Sequence, residues 1–166
     1  MAVTGKLAAT QYGAAVNGIS DSELCHLQRI ASVGSSPSAR GRSLAALLAM
    51  TGDPTAGAAT APILYWAKVA WRSGSRLPGE TTTADLAAAW KETDRYRCRF
   101  ISSNGRRRWD QSLGPIGACM LSLDRLGWYS PDGLTLVDDL GIERRIEEVS
   151  PEMWKLLLCD AVQTRP

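Results

Sequence analysis

The sequence predicts a mainly α protein with a small antiparallel β element (α+β), folded as a single compact helical domain. Three observations carry that expectation. Apolar residues recur at helical spacing through most of the chain, several of these stretches open on a capping residue or proline and close on glycine, and strand-like patterning is confined to the second half. A chain of 166 residues with 45% hydrophobic side chains is long enough to bury one sizeable core. The expected organisation is a mobile N-terminal arm or poorly defined helix over residues 1–19 and one mainly helical domain over 20–166, with a basic hairpin near 95–109 and a small β element near 134–146.

Order is expected to begin at Ser20, which with Glu23 forms a capping box, and Leu24, Leu27, Ile30 and Ala31 then recur at helical spacing. The run GSSPSARG from Gly34 to Gly41 reads as a linker, followed by a short helix through Leu44, Leu47 and Leu48 that Gly52 closes. Asp53 and Pro54 read as an N-cap and first helical position. A further start is expected at Pro62, which would kink any helix running through it, with Ile63, Tyr65, Trp66, Val69 and Ala70 forming an apolar face. The next helix opens at Thr82 or Thr83, places Asp85 in its first turn and carries Leu86, Ala89 and Trp90 inward.

Tyr96, Cys98 and Phe100 alternate with Arg95, Arg97 and Arg99, a period-two pattern that predicts a strand with one arginine-bearing face. Asn104-Gly105 is a hairpin turn signal directly after it. Pro115 to Leu126 reads as a helix with Ile116, Met120, Leu123 and Leu126 inside and Gly127 as its stop. Two strands are expected at 134–137 and 141–146, joined through Asp138 and Asp139. The last helix starts at Ser150-Pro151 and buries Met153, Trp154, Leu157, Leu158 and Ala161. Trp66, Trp71, Trp128 and Trp154 are expected in the core.

The formal net charge of +2 conceals an uneven distribution. Residues 1–90 carry seven basic and five acidic groups, residues 91–109 seven and two, and residues 110–166 five and ten. The basic stretch between Trp90 and Trp109 interleaves Lys91, Arg95, Arg97, Arg99, Arg106, Arg107 and Arg108 with Tyr96 and Phe100. Guanidinium groups neutralise phosphates and release counterions, and aromatic faces stack on unpaired bases, so this composition suits the backbone of RNA or DNA. Two readings stay open: phosphate contact, or surface charge whose partner is the acidic C-terminal third, with arginine stems covering core tryptophans. The candidate binding residues are Arg95, Arg97, Arg99, Arg106, Arg107, Arg108, Tyr96 and Trp109.

Catalytic inventories are thin. His26 is the only histidine, and its neighbour Cys25 would point about 100° away on a helix. Cys25, Cys98, Cys119 and Cys159 are spaced too widely for zinc knuckles and read as free thiols. Neither GxxxxGK[ST] nor GxGxxG occurs. No metal and no cofactor is expected. Asp138-Asp139 superficially matches the paired carboxylates of a polymerase palm, which would hold divalent ions, but turn formation is the simpler role. The opening MAVTGKLAATQYGAAV lacks the apolar centre of a signal peptide, and no stretch reaches the roughly 20 apolar residues of a membrane span. No membrane partner is expected, and the location is expected to be intracellular, cytoplasmic or nuclear.

The run from Leu113 through Gly114-Pro115, Gly127 and Trp128, the Asp132-Gly133 turn and the Ser150-Pro151 helix start resemble a segment that lies downstream of the reverse-transcriptase domain in dinoflagellate-type retroelement polyproteins. Gly52-Asp53-Pro54 and the stretch from Pro62 to Trp71 are similar to the part that precedes it, so the resemblance covers roughly residues 52–162. It implies a connecting or thumb-like piece beside a polymerase that contacts template and primer backbone, with other polyprotein segments as partners. It transfers no catalytic residue. The expectations are thus a non-catalytic, nucleic-acid-binding module, then a helical protein-interaction module, and third a metal-dependent polymerase remnant using Asp138 and Asp139.

Overall fold

A helix that is apolar on every side belongs at the centre of a domain. That is the position of the stretch from Gly117 to Leu123, buried at every residue. The computed structural model describes residues 13–35, 53, 55–73 and 81–163. Its helices are α1 (Ala14–Asn17), α2 (Asp21–Ser35), α3 (Ala56–Ser73), α4 (Thr83–Asp94), α5 (Arg97–Phe100), α6 (Gly114–Leu126) and α7 (Pro151–Gln163). Strands β1 (Thr135–Val137) and β2 (Glu143–Arg145) lie between α6 and α7 and pair antiparallel, Leu136 opposite Arg144. The mainly helical fold with a small antiparallel element is therefore observed. The expected helix at Leu44–Leu48 and the linker ahead of it fall outside the described residues, apart from the backbone of Gly34 and Ser35 in α2.

α3 packs against both α6 and α7 and meets α4. Ile63, Trp66, Ala67 and Ala70 line its inner face and join Leu86, Trp90, Phe100, Leu121, Trp128, Leu136, Ile146, Trp154 and Leu158 in one core. Trp71 lies one residue off that stripe, about 100° around the helix, and is exposed rather than in the core. The same geometry exposes Met153, one residue before the buried Trp154 of α7. A second correction concerns Pro62, which does not start a helix of its own: α3 runs from Ala56 to Ser73 with the proline buried inside it. Apolar burial along this face offsets the ladder hydrogen bond that proline cannot donate.

Residues 13–19, expected as part of a mobile arm, are docked. α1 lies against α3 and α6, and Ala14 and Ile19 are both buried. Ala58 of α3 forms a small satellite cluster with Ile19 and Leu27, the close approach allowed by its small side chain. The Ser20–Glu23 capping box opens α2 as expected, the Glu23 amide donating to Ser20 Oγ at 3.2 Å and the Ser20 amide to Glu23 Oε2 at 3.0 Å. Thr82 caps α4 in the same reciprocal way with Asp85. Asp53 Oδ1 accepts the Thr55 amide at 2.8 Å ahead of α3, and Gln28 of α2 donates to its Oδ2 at 2.6 Å.

The expected arginine-bearing strand is not formed. After Asp94 the chain makes a two-residue turn at Arg95-Tyr96 and then the single helical turn α5. The alternation had no face to bury, since Phe100 is fully enclosed while Tyr96 and Cys98 are exposed. What remains of the hairpin is one antiparallel bridge, Ile101 with Arg107, closed by the turn through Asn104 and Gly105. Gly105 has φ +75°, the left-handed conformation that makes Asn-Gly a turn signal.

Candidate nucleic-acid interface

The basic block occupies the end of α4, α5 and the loop from Ile101 to Arg108. The loop is tied by its own backbone: the Ser102 amide donates to the Arg106 carbonyl at 3.1 Å, the Gly105 amide to Ser102 at 2.9 Å and the Arg108 amide to Phe100 at 2.8 Å. Phe100 and Ile101 root it in the core cluster. Across the bridge, successive side chains point to opposite sides. Arg107 therefore turns inward while Arg106 and Arg108 are exposed.

Arg107 is spent internally. Its Nε donates to Asp21 Oδ2 and its Nη1 to Asp124 Oδ2, both at 2.9 Å. Burial alone would weaken its hold on the proton, but the two carboxylates more than restore it. Arg125 of α6 reinforces the same tie: its Nε donates to Asp21 Oδ1 at 2.8 Å, its Nη2 reaches the Ile19 carbonyl, and its side chain is only 11% exposed. For Asp21, burial favours the neutral form, and the bonds and charge of Arg107 and Arg125 outweigh it, holding the carboxyl below its ordinary value. Asp21, Arg107, Asp124 and Arg125 thus fasten the start of α2 to the basic loop and to α6.

The remaining candidates divide by partner. Arg95 pairs with Glu92 at 2.7 Å and Arg97 with Asp94 at 3.8 Å, both between partners at least a third exposed. Such surface pairs contribute about 0 to 1 kcal/mol and exchange partners readily. The Arg99 guanidinium sits 4.7 Å above the ring of Tyr96, itself 38% exposed. Arg106 and Arg108 have no ion-pair partner among the described residues. Trp109 is taken up by internal contacts: Arg125 lies 4.5 Å over its ring, and a Cβ on Gly18 would stand 2.1 Å from Cζ3. The two indole ring systems flanking the block thus serve the interior, Trp90 in the core and Trp109 under the Arg125 tie.

Asp138 is built into a turn. Its Oδ1 accepts the Leu140 amide at 3.0 Å and the Ile142 amide at 2.8 Å, and its Oδ2 accepts Arg144 at 2.7 Å. Desolvation pushes this carboxyl up, while Arg144 and the two amides hold it below the ordinary value. Asp139 receives the Trp128 indole N–H at 3.3 Å. Among the described residues no group of three or more His, Cys, Asp or Glu side chains is placed to hold a metal ion. His26 is exposed on α2 with Cys25 half-buried beside it. No helix among the described residues is long and apolar enough to cross a membrane.

The inward role of Arg107 and the part played by Asp21 and Arg125 were not readable from the block itself. Their partners stand 86 and 104 residues apart along the chain. A comparison with protein-family models finds no match, and comparisons with curated proteins and with solved structures find none either.

Proposed function

We propose that this chain is a non-catalytic module that binds nucleic-acid backbone and, on the resemblance of residues 52–162, a connecting piece of a retroelement-type reverse-transcriptase polyprotein. One observation supports the binding reading above the others. Arg106 and Arg108 are both exposed on a loop that the intervening Arg107 anchors from behind. Two guanidinium groups held apart on a fixed loop and lacking internal carboxylate partners among the described residues suit contact with phosphates along one strand. Arg95 and Arg97 of the same block can contribute by releasing weak i,i+3 partners. The contacts carry no base-reading pattern, so affinity without sequence preference is expected.

The test separates the outward arginines from the anchor. Arg106→Ala with Arg108→Ala should weaken binding of a labelled oligonucleotide and flatten its log–log salt dependence by about 1.4, the release expected for two contacts to a single strand. Arg107→Ala should instead lower thermal stability, so a triple replacement would confuse binding with folding. Absence of binding at low salt, or binding untouched by the double substitution, overturns the reading. Those outcomes would favour a helical protein-interaction module, for which the exposed Leu140, Met153 and Leu156 are the supporting observation.

A further inference from the structure

We infer that the Tyr96–Arg99 pair is a nucleobase platform, which makes the preferred ligand of the basic edge a single strand rather than a duplex; this rests on the binding reading above. Four aromatic side chains lie in or beside the block, and the structure leaves one of them for a ligand. Trp90 and Phe100 are 2% and 0% exposed, and Trp109 is engaged by Gly18 and Arg125. Tyr96 stands in the break between α4 and α5 and is 38% exposed. Arg99 lies over that ring at 4.7 Å from its centre.

A planar guanidinium lying over a phenol ring can turn parallel to it and offer a second flat surface of the same kind. An unpaired base can stack on Arg99 or take its place on Tyr96, while the displaced guanidinium moves to the flanking phosphate. Arg95 and Arg97 flank the ring in sequence, and Arg106 and Arg108 lie on the loop that follows α5, so further guanidinium groups of the block are available to the backbone of a bound strand. A paired base within a duplex offers no free face for stacking. The local elements also argue against duplex reading: α5 is a single turn and the loop carries one bridge. Neither is a helix or a two-stranded ribbon of the kind that enters a major groove.

The experiment uses the full chain and fluorescence anisotropy at low salt, with a labelled 12-nucleotide mixed-sequence strand as RNA and as DNA, and each annealed to its complement. The single strands should bind about tenfold more tightly than the duplexes. Tyr96→Ala should cost the single strands about tenfold, leave the duplexes within about twofold, and so abolish the preference. Tyr96→Phe, which keeps the ring, should retain it, and circular dichroism checks that the fold of each variant is intact. RNA and DNA arms that respond alike assign the platform to the bases, whereas a preference confined to one sugar overturns base stacking as its origin. Equal binding of strand and duplex, or equal losses on both with Tyr96→Ala, also overturns the platform. If these occur while Arg106→Ala with Arg108→Ala still weakens binding, the backbone reading stands without it; if no oligonucleotide binds at low salt, both fall.

Discussion

Arg106, Arg107 and Arg108 have the same chemistry and consecutive numbers, yet the loop gives the middle one a different task. Residue-scale roles in this protein are set by what each side chain faces. Trp66 is an example, its indole N–H donating 2.6 Å to the Gly133 carbonyl inside the core. Ser122 is the opposite case: it is fully buried on α6, and its hydroxyl has no hydrogen-bond partner among the described residues. A buried hydroxyl without a partner keeps its desolvation cost and returns nothing. Ser122→Ala should therefore leave the protein equally stable or up to about 1 kcal/mol more stable in urea unfolding. A measured loss of stability would show that the hydroxyl is satisfied after all.

Elements in this fold meet through a few close approaches. At the turn ahead of β1, Gly133 has φ +80°, and a Cβ there would stand 2.6 Å from Cγ of Trp90. Trp90 is in turn 5.6 Å from Trp66, centre to centre, so the turn, α3 and α4 interlock at one point. Gly133→Ala would strain the left-handed backbone and push the Trp90 ring at the same time. A loss of about 2 to 3 kcal/mol in chemical unfolding is expected, without change in oligonucleotide contacts made from α5 and its loop. Asp132-Gly133 was legible in the sequence as a turn. Its use as the seat for two tryptophans was not, because that depends on residues 43 and 67 positions upstream.

For the whole molecule, the question left open by the charge distribution has a divided answer. Among the described residues the acidic third supplies one ion-pair partner to the basic block, Asp124 to Arg107, and the N-terminal region supplies Asp21. Arg125 of the same third also reaches back to Asp21, whereas Asp138 with Arg144 and Arg145 with Glu147 pair locally. The Asp21 tie should therefore give the fold an acid-sensitive joint. Its carboxyl is held below the ordinary value in the folded state, so its contribution is complete above the carboxylate range. It is lost as pH falls through that range toward the depressed folded value. Asp21→Asn should lower Tm at neutral pH, and its difference from the native chain should shrink as pH falls below the carboxylate range. A difference that persists unchanged in acid would assign the loss to packing rather than charge.

The helices with strong local signals were readable from the sequence alone. Ser20 with Glu23, Thr82 with Asp85, and Gly127 each act within a few residues of themselves, so their physics is contained in a short stretch. The β pair was legible for the same reason, with Asp138 closing its turn through amides two and four residues on. The Arg95–Ile101 stretch was misread because alternation signals a strand only where one face is covered, and no core lies beneath Tyr96 and Cys98. Pro62 does not open a helix as its sequence context suggests, because burial, invisible to a local rule, outweighs its missing donor. Tertiary structure alone decided that residues 13–19 dock, that Arg107 faces inward and that Trp109 is held against Gly18 and Arg125. Each of these depends on groups brought together across long separations, where packing and charge rather than local propensity choose the outcome.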